Sequence, residues 1–197
     1  MNIVIIKYNA GNIFSVDYAL RRIGVEAEIT GDIAKIQAAD KVIFPGVGEA
    51  ETTMLYLKEH GLDRVIRDLK QPVLGICIGM QLMCKSSEEG GKVECLGIFD
   101  EEVKKFVPQA HTDKVPHMGW NTVQCQANPL FKGLQADPYF YYVHSYYATV
   151  GKDTIATTDY IHPFSASLHK DNFYAVQFHP EKSGAMGEVI LKNFLSL

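Results

Sequence analysis

Basic charge is scarce in this chain: 19 Lys and Arg stand against 23 Asp and Glu over 197 residues, a net charge of −4, with no Lys/Arg stripe. That argues against a nucleic-acid footprint and against polybasic or acidic tails. No apolar run approaches the length that crosses a bilayer, and Met1-Asn-Ile-Val-Ile-Ile-Lys7 lacks the basic flank of a secretory leader. It reads instead as a first strand, and cytoplasmic residence is expected. Cysteine is sparse as well. The four, at positions 77, 84, 95 and 125, never fall at Cys-x-x-Cys spacing, and the seven histidines do not stand at zinc-ligand intervals beside them. A disulfide framework and a metal site are therefore not expected. Nor does any linker, repeat or low-complexity stretch divide the chain, so residues 1–197 are expected to form one domain.

What is present is alternation. Residues 3–6 form an apolar run, and Val16, Ala19, Leu20 and Ile23 recur at helical spacing from about Ile13 until Gly24 stops them. A short strand follows at residues 26–29, another at 40–44, a glycine-rich loop at 45–48 and a helix over 49–60 with Glu49 and Glu51 in its first turn. Residues 62–69 read as helix and 73–76 as strand. This βαβα order predicts a mostly parallel central sheet with helices on both faces, a three-layer α/β fold. Beyond it, residues 96–99, 121–126, 139–150, 154–157, 165–169 and 173–178 read as strands, with 170–172 as a hairpin turn, which predicts antiparallel additions to the sheet. A helix over 187–195 closes the pattern.

In an open parallel sheet, ligands bind at the carboxyl ends of the strands, where the loop Pro45-Gly-Val-Gly48 and Cys77 both fall. Cys77 sits in Pro72-Val-Leu-Gly-Ile-Cys-Ile-Gly-Met-Gln81, an apolar strand ending at a thiol flanked by Gly75 and Gly79. This is the thiol counterpart of the Gly-x-Ser-x-Gly elbow, which displays a nucleophile on a strained strand-to-helix turn. The following helix also aims unpaired N–H groups at the sulfur. A thiol nucleophile needs a base and a group that orients the base. Gln177-Phe-His-Pro-Glu-Lys-Ser-Gly184 offers both: His179 at a strand end, and Glu181 two residues on, facing the same side if the backbone stays extended. The oxyanion of an acyl transfer then needs donors. The backbone N–H of Ile78 and those around Val47 and Gly48 are the candidates. Gln81, one helical turn past Cys77, can overlook the pocket, and Glu89 can meet a substrate ammonium. His144 and Ser145 interrupt the aromatic strand over residues 139–147, and Trp120 is either a core anchor or a partner contact.

Together these segments resemble the class I, or triad, glutamine amidotransferases, and within them the glutaminase subunits of imidazole glycerol phosphate synthase. The elbow and the His-Pro-Glu segment mark the superfamily. Pro45-Gly-Val-Gly48, Pro116-His-Met-Gly-Trp-Asn121 and Val143-His-Ser-Tyr-Tyr147 narrow it, and the likeness runs from Gly11-Asn12 to Ser183. One position departs: Asn9 stands where glycine is frequent in the family. The resemblance implies that Cys77 attacks the side-chain amide of glutamine, that His179 moves protons and that Glu181 orients His179. Gly46, Gln81 and Glu89, with the main chain at His144, Ser145 and Tyr146, would hold the substrate. Asn12, Trp120 and Lys182 would meet a cyclase (β/α)8-barrel subunit in a heterodimer. That subunit would use the ammonia to make imidazole glycerol phosphate and an aminoimidazole carboxamide ribotide in histidine biosynthesis, with no cofactor. The same chemistry serving another synthase, such as a sugar-amination enzyme, and a non-catalytic scaffold subunit are the competing readings.

Overall fold

Alternate residues of the first strand face opposite ways, and both ways lead into apolar core. The computed structural model describes residues 1–9, 13–46 and 48–197. In it β1 (Ile3–Ile6) turns Ile3 and Ile5 to one side and Val4 and Ile6 to the other. The chain continues through α1 (Ile13–Arg22), β2 (Glu28–Thr30), α2 (Ile33–Ala38), β3 (Lys41–Phe44), α3 (Ala50–Glu59), α4 (Leu62–Asp68), β4 (Val73–Ile76) and α5 (Ile78–Met83). β1, β3 and β4 are buried along their whole length, which is why they read as unbroken apolar runs rather than alternating ones.

Strands dominate the remainder of the chain: β5 (Ser86–Ser87), β6 (Val93–Glu94), β7 (Glu102–Lys105), β8 (His117–Thr122), β9 (Gln124–Cys125), β10 (Tyr139–His144), β11 (Tyr146–Ala148), β12 (Thr154–Tyr160), β13 (His162–Lys170) and β14 (Phe173–Val176), then α6 (Gly184–Leu195). The central sheet has eight strands in the order β2-β1-β3-β4-β14-β13-β12-β9. The first five run parallel and the last three are antiparallel additions. Helices α2 to α5 cover one face through residues such as Ile36, Leu57, Ile66 and Leu82. On the other face, α1 and α6 contribute Val16, Leu20, Ile190 and Phe194. The architecture is the three-layer α/β sandwich that the sequence predicts. Among the described residues, no helix is long and apolar enough to cross a membrane.

Three strand assignments need correction. Leu96, Ile98 and Phe99 are buried but residues 96–99 form no strand, because the N–H groups of Leu96, Gly97, Ile98 and Phe99 bond to the carbonyls of Leu82, Cys84 and Met83 and so terminate α5. The run over 139–150 breaks at Ser145, where the chain leaves its pairing with β8 and joins β7 in a separate four-stranded sheet. The run over 121–126 is likewise two strands, β8 pairing with β10 and β9 with β12. Helix α2 escapes the sequence pattern because only Ile36 of its six residues is buried; Asp32 caps it by accepting from Lys35 N at 3.2 Å.

Candidate active site

The nucleophile candidate sits at the seam between two parallel strands. Cys77 N donates to Val176 O at 2.8 Å, so β14 holds the last residue of the turn leaving β4. Cys77 then takes φ 53° and ψ −108°, a conformation that non-glycine residues rarely adopt, and α5 begins at Ile78. The flanking glycines explain how the turn fits. A Cβ on Gly79 would overlap Phe44 O of β3, and one on Gly75 would come within 2.9 Å of Met83 Sδ and 3.0 Å of Met80 N. Being the first helical residue, Ile78 has no intrahelical acceptor for its N–H, which therefore remains as a donor beside the sulfur.

β14 also delivers the candidate base. Past Val176 the chain places Gln177, Phe178 and His179; His179 keeps an extended backbone and its N–H bonds to Tyr141 O at 2.9 Å. The expected extended path to Glu181 is not what forms. Pro180–Lys182 is a single 3-10 turn, and it is this turn that brings Glu181 Oε1 to 2.8 Å from His179 Nδ1. The turn is locked by Ser183 Oγ, which donates to His179 O at 2.6 Å and accepts from Tyr141 N at 3.0 Å. From α1, Arg22 Nη2 donates to Glu181 O at 3.3 Å. His179 is fully buried, and burial alone would lower its pKa; the negative charge of Cys77 and the bond to Glu181 outweigh it and raise it to about 10. Among the described residues His179 Nε2 has no hydrogen-bond partner, and the charge of Cys77 is the largest influence that raises the His179 pKa.

In front of the sulfur lies a cavity of about 310 Å³ lined by Gly48, Cys77, Ile78, Gln81, Glu89, Pro116, Val143, His144, Ser145 and Tyr146. Most sequence-predicted substrate residues thus meet in one place. Gly46 does not line it; it is buried where a Cβ would overlap Tyr8 Oη and Ile78 Cγ2, which makes it a packing residue behind the wall. Val47 and Asn12 lie outside the described residues. Glu89 is half-buried, and its Oε2 accepts from Ala50 N at 2.9 Å, capping α3 where Glu49 makes no side-chain cap. Burial raises the Glu89 pKa; the Ala50 N–H opposes this and Glu49 adds to it. Trp120 and Lys182 are both exposed; the Tyr141 ring meets Trp120 edge-on at 6.2 Å, and its backbone holds His179 and Ser183, on either side of the Pro180–Lys182 turn. A larger, open depression, lined by residues drawn from the segment 123–138, contains none of Cys77, His179 and Glu181.

Two residues that sequence reasoning leaves without a role reach the site. Gln177 Nε2 lies 3.6 Å from Cys77 Sγ, a placement legible from strand alternation because Gln177 and His179 are two apart. His117 Nδ1 lies 3.0 Å from His144 Nε2, whose other nitrogen contacts Tyr146 O at 2.7 Å. Burial pushes the His117 pKa down to about 4. His144 falls to about 3, chiefly through burial, with Tyr146 O opposing and His117 and His179 assisting. Both imidazoles bind fewer protons folded than unfolded, so their effect on stability is fully favourable above about pH 6.5 and is lost as pH falls below it. His179 has the opposite sign: its contribution is complete below about pH 6.5 and is lost as pH rises through about 10. Melting temperature should therefore fall on both sides of neutrality, and His117→Gln should flatten the limb between pH 6.5 and 4 in thermal melts.

The sequence pattern of the family described as "Glutamine amidotransferase class-I" matches residues 4–197. The chain belongs to that family. Among curated amidotransferase relatives, the imidazole glycerol phosphate synthase subunit HisH of Bacteroides fragilis is 68% identical over 197 residues, covering 100% of both chains. The protein of the same name from Escherichia coli K12 is 48% identical over 201 residues, again with 100% of each covered. Among solved structures, a putative GMP synthase component from Thermoplasma acidophilum superposes with a TM-score of 0.76 at 22% identity, over 100% of this chain and 93% of that one. A solved glutamine amidotransferase superposes equally well, TM-score 0.76, at 17% identity over 100% of this chain and 98% of that one. At such identities the likeness concerns the amidotransferase fold alone.

Proposed function

We propose that this amidotransferase is the glutamine-hydrolysing subunit of an imidazole glycerol phosphate synthase, with Cys77 as nucleophile, His179 as acid and base, and Glu181 as the residue that orients His179. The observation that carries the reading is Cys77 held at positive φ on the cavity wall with the His179–Glu181 pair behind it. The Cys77 sulfur adds to the side-chain carbonyl carbon of glutamine, and the negative oxygen is met by the Ile78 N–H and by the loop at Val47 and Gly48. As the tetrahedral species collapses, the C–N bond breaks and His179 gives its proton to the departing ammonia. A γ-glutamyl thioester remains. The now neutral His179 takes a proton from water as its oxygen attacks that thioester, the C–S bond breaks, and glutamate leaves with the sulfur again anionic. Gln81 and Glu89, with the main chain over residues 144–146, hold the amino-acid end.

The ammonia goes to a cyclase barrel subunit, since released into water near neutral pH it would be protonated and lost as a nucleophile. Support for a docked partner comes from β8 and β10, which expose Met118, Trp120 and Tyr139 at 63%, 55% and 52%. Large apolar side chains gathered on one two-stranded sheet suit an interface more than a solvated surface. Support for this synthase over a sugar-amination enzyme comes from the names of full-length relatives at 48% to 68% identity. Glutamine hydrolysis is expected to be slow for the chain alone and to rise at least tenfold with the cyclase and its ligand. A glutamine-like electrophile should then add to Cys77, as seen by peptide mass spectrometry. No adduct in the activated complex would leave a scaffold subunit. An adduct without rescue of a histidine auxotroph would point to another synthase.

A further inference from the structure

Gln81 has only two amide hydrogens, and both are committed. Its Nε2 donates to Tyr146 O at 2.8 Å and to Gln177 Oε1 at 2.9 Å. A backbone carbonyl can only accept, so Tyr146 fixes which end of the Gln81 amide faces it. Gln81 in turn fixes Gln177, whose oxygen must face Gln81 and whose nitrogen must face Cys77 Sγ. The donor at the sulfur is thus dictated by the network rather than chosen.

The same carbonyl sets a second run of bonds. Tyr146 O requires a proton on His144 Nδ1; a neutral His144 then presents a lone pair at Nε2, which requires a proton on His117 Nδ1. His117 Nε2 is left to accept from Asn121 Nδ2 at 3.3 Å, and Asn121 is itself tied to Asp159 O at 3.0 Å. His117 and Asn121 lie on the inner face of β8, whose outer face carries the exposed Met118 and Trp120.

We propose that Gln177 is a positioning residue for Cys77, its amide aimed at the sulfur by Gln81, which the Tyr146 carbonyl orients while His144, backed by His117 and Asn121, holds that carbonyl in place. This rests on the reading of Cys77 as nucleophile. The Gln177 N–H stabilises negative charge on the sulfur before attack and again as the thioester breaks. It acts on the sulfur and leaves glutamine binding to the cavity wall.

The test uses the complex with the cyclase subunit and two readouts: kcat and KM for glutamine, and the rate at which iodoacetamide alkylates Cys77. Iodoacetamide reports on the sulfur without needing the amino-acid subsite. Gln177→Met removes the donor at similar volume and should lower both kcat and the alkylation rate about tenfold with KM within twofold. Gln177→Glu is closer in shape but places a carboxylate beside the sulfur, so it should be slower still; a purely structural role predicts the reverse order. If Gln177→Met fails to fold, Gln177→Leu, which also lacks the donor, takes its place in the comparison with Gln177→Glu. His144→Leu should slow alkylation severalfold in the parent chain and add nothing in the Gln177→Met background. Unchanged kcat and alkylation in the Gln177 variants would overturn the proposal, and additive His144 and Gln177 effects would detach His144 from it. Cys77→Ala serves as the control: residual hydrolysis there would overturn the nucleophile assignment itself, a different failure from inert Gln177 variants.

Discussion

Cys77→Ala is expected to reduce glutamine hydrolysis by the cyclase-bound protein by about 10⁴-fold or more, the range seen when a nucleophile that works as a unit with its base is removed. The loss should be confined to chemistry. Alanine is smaller than cysteine and carries a Cβ already accommodated at φ 53°, so the elbow should fold unchanged. Nine other residues line the cavity, so glutamine should still bind, which calorimetry on the variant can establish. Retention of even one-tenth of parental turnover by Cys77→Ala would mean that another group makes the acyl bond.

Gly79→Ala is the second large effect, and here two physical terms compete. Gly79 lies inside α5, where alanine would ordinarily stabilise a helix by about 1 kcal/mol. Its Cβ, however, would collide with the backbone carbonyl of Phe44, which is fixed in β3 by its pairing with β4 and cannot give way like a side-chain tip. Overpacking against backbone should dominate, with a net loss of about 2–4 kcal/mol and a melting temperature lower by about 5–12 °C. Glutaminase activity should fall even at temperatures where the variant is folded, because displacing α5 moves both Ile78 and Cys77. Gly61→Ala is the useful contrast: its φ of +69° strains alanine, but nothing lies within 4 Å of the added atom. It should cost about 1 kcal/mol and leave activity intact. A loss for Gly79→Ala no larger than that for Gly61→Ala would show that the contact with Phe44 does not govern the elbow.

Much of this site is legible in the sequence because it depends on short-range rules. The strand-to-helix turn at Cys77 and the alternation that aligns Gln177 with His179 are local patterns, and so is the placement of Gln81 one turn past the sulfur. His179 and Glu181 do come together, but not along the extended path that residue alternation implies; a 3-10 turn makes the contact instead. Proline at the first turn position fits either path, so the local signal cannot choose. The apolar run over residues 96–99 misleads for a related reason. Periodicity records burial, but whether a buried segment pairs as a strand depends on where its N–H groups find acceptors, and here they find the end of α5. The histidine pair is invisible for lack of any sequence spacing that links residues 117 and 144; only the register of β8 against β10 makes them neighbours.

That register-dependent assembly extends to the sheet as a whole. β14 is the last strand in the chain order, yet it lies in the middle, bonded to β4, and the residues it brings to Cys77 are separated from it by a hundred positions. During synthesis, β4 therefore emerges with one apolar edge bare, and that edge stays open to wrong partners until residue 176 is available. With Cys77 as nucleophile and His179 as base, as proposed, a growing chain in that interval carries the thiol without its partner. Glutamine hydrolysis is then expected only once the sheet is complete, so that a nascent chain releases no ammonia.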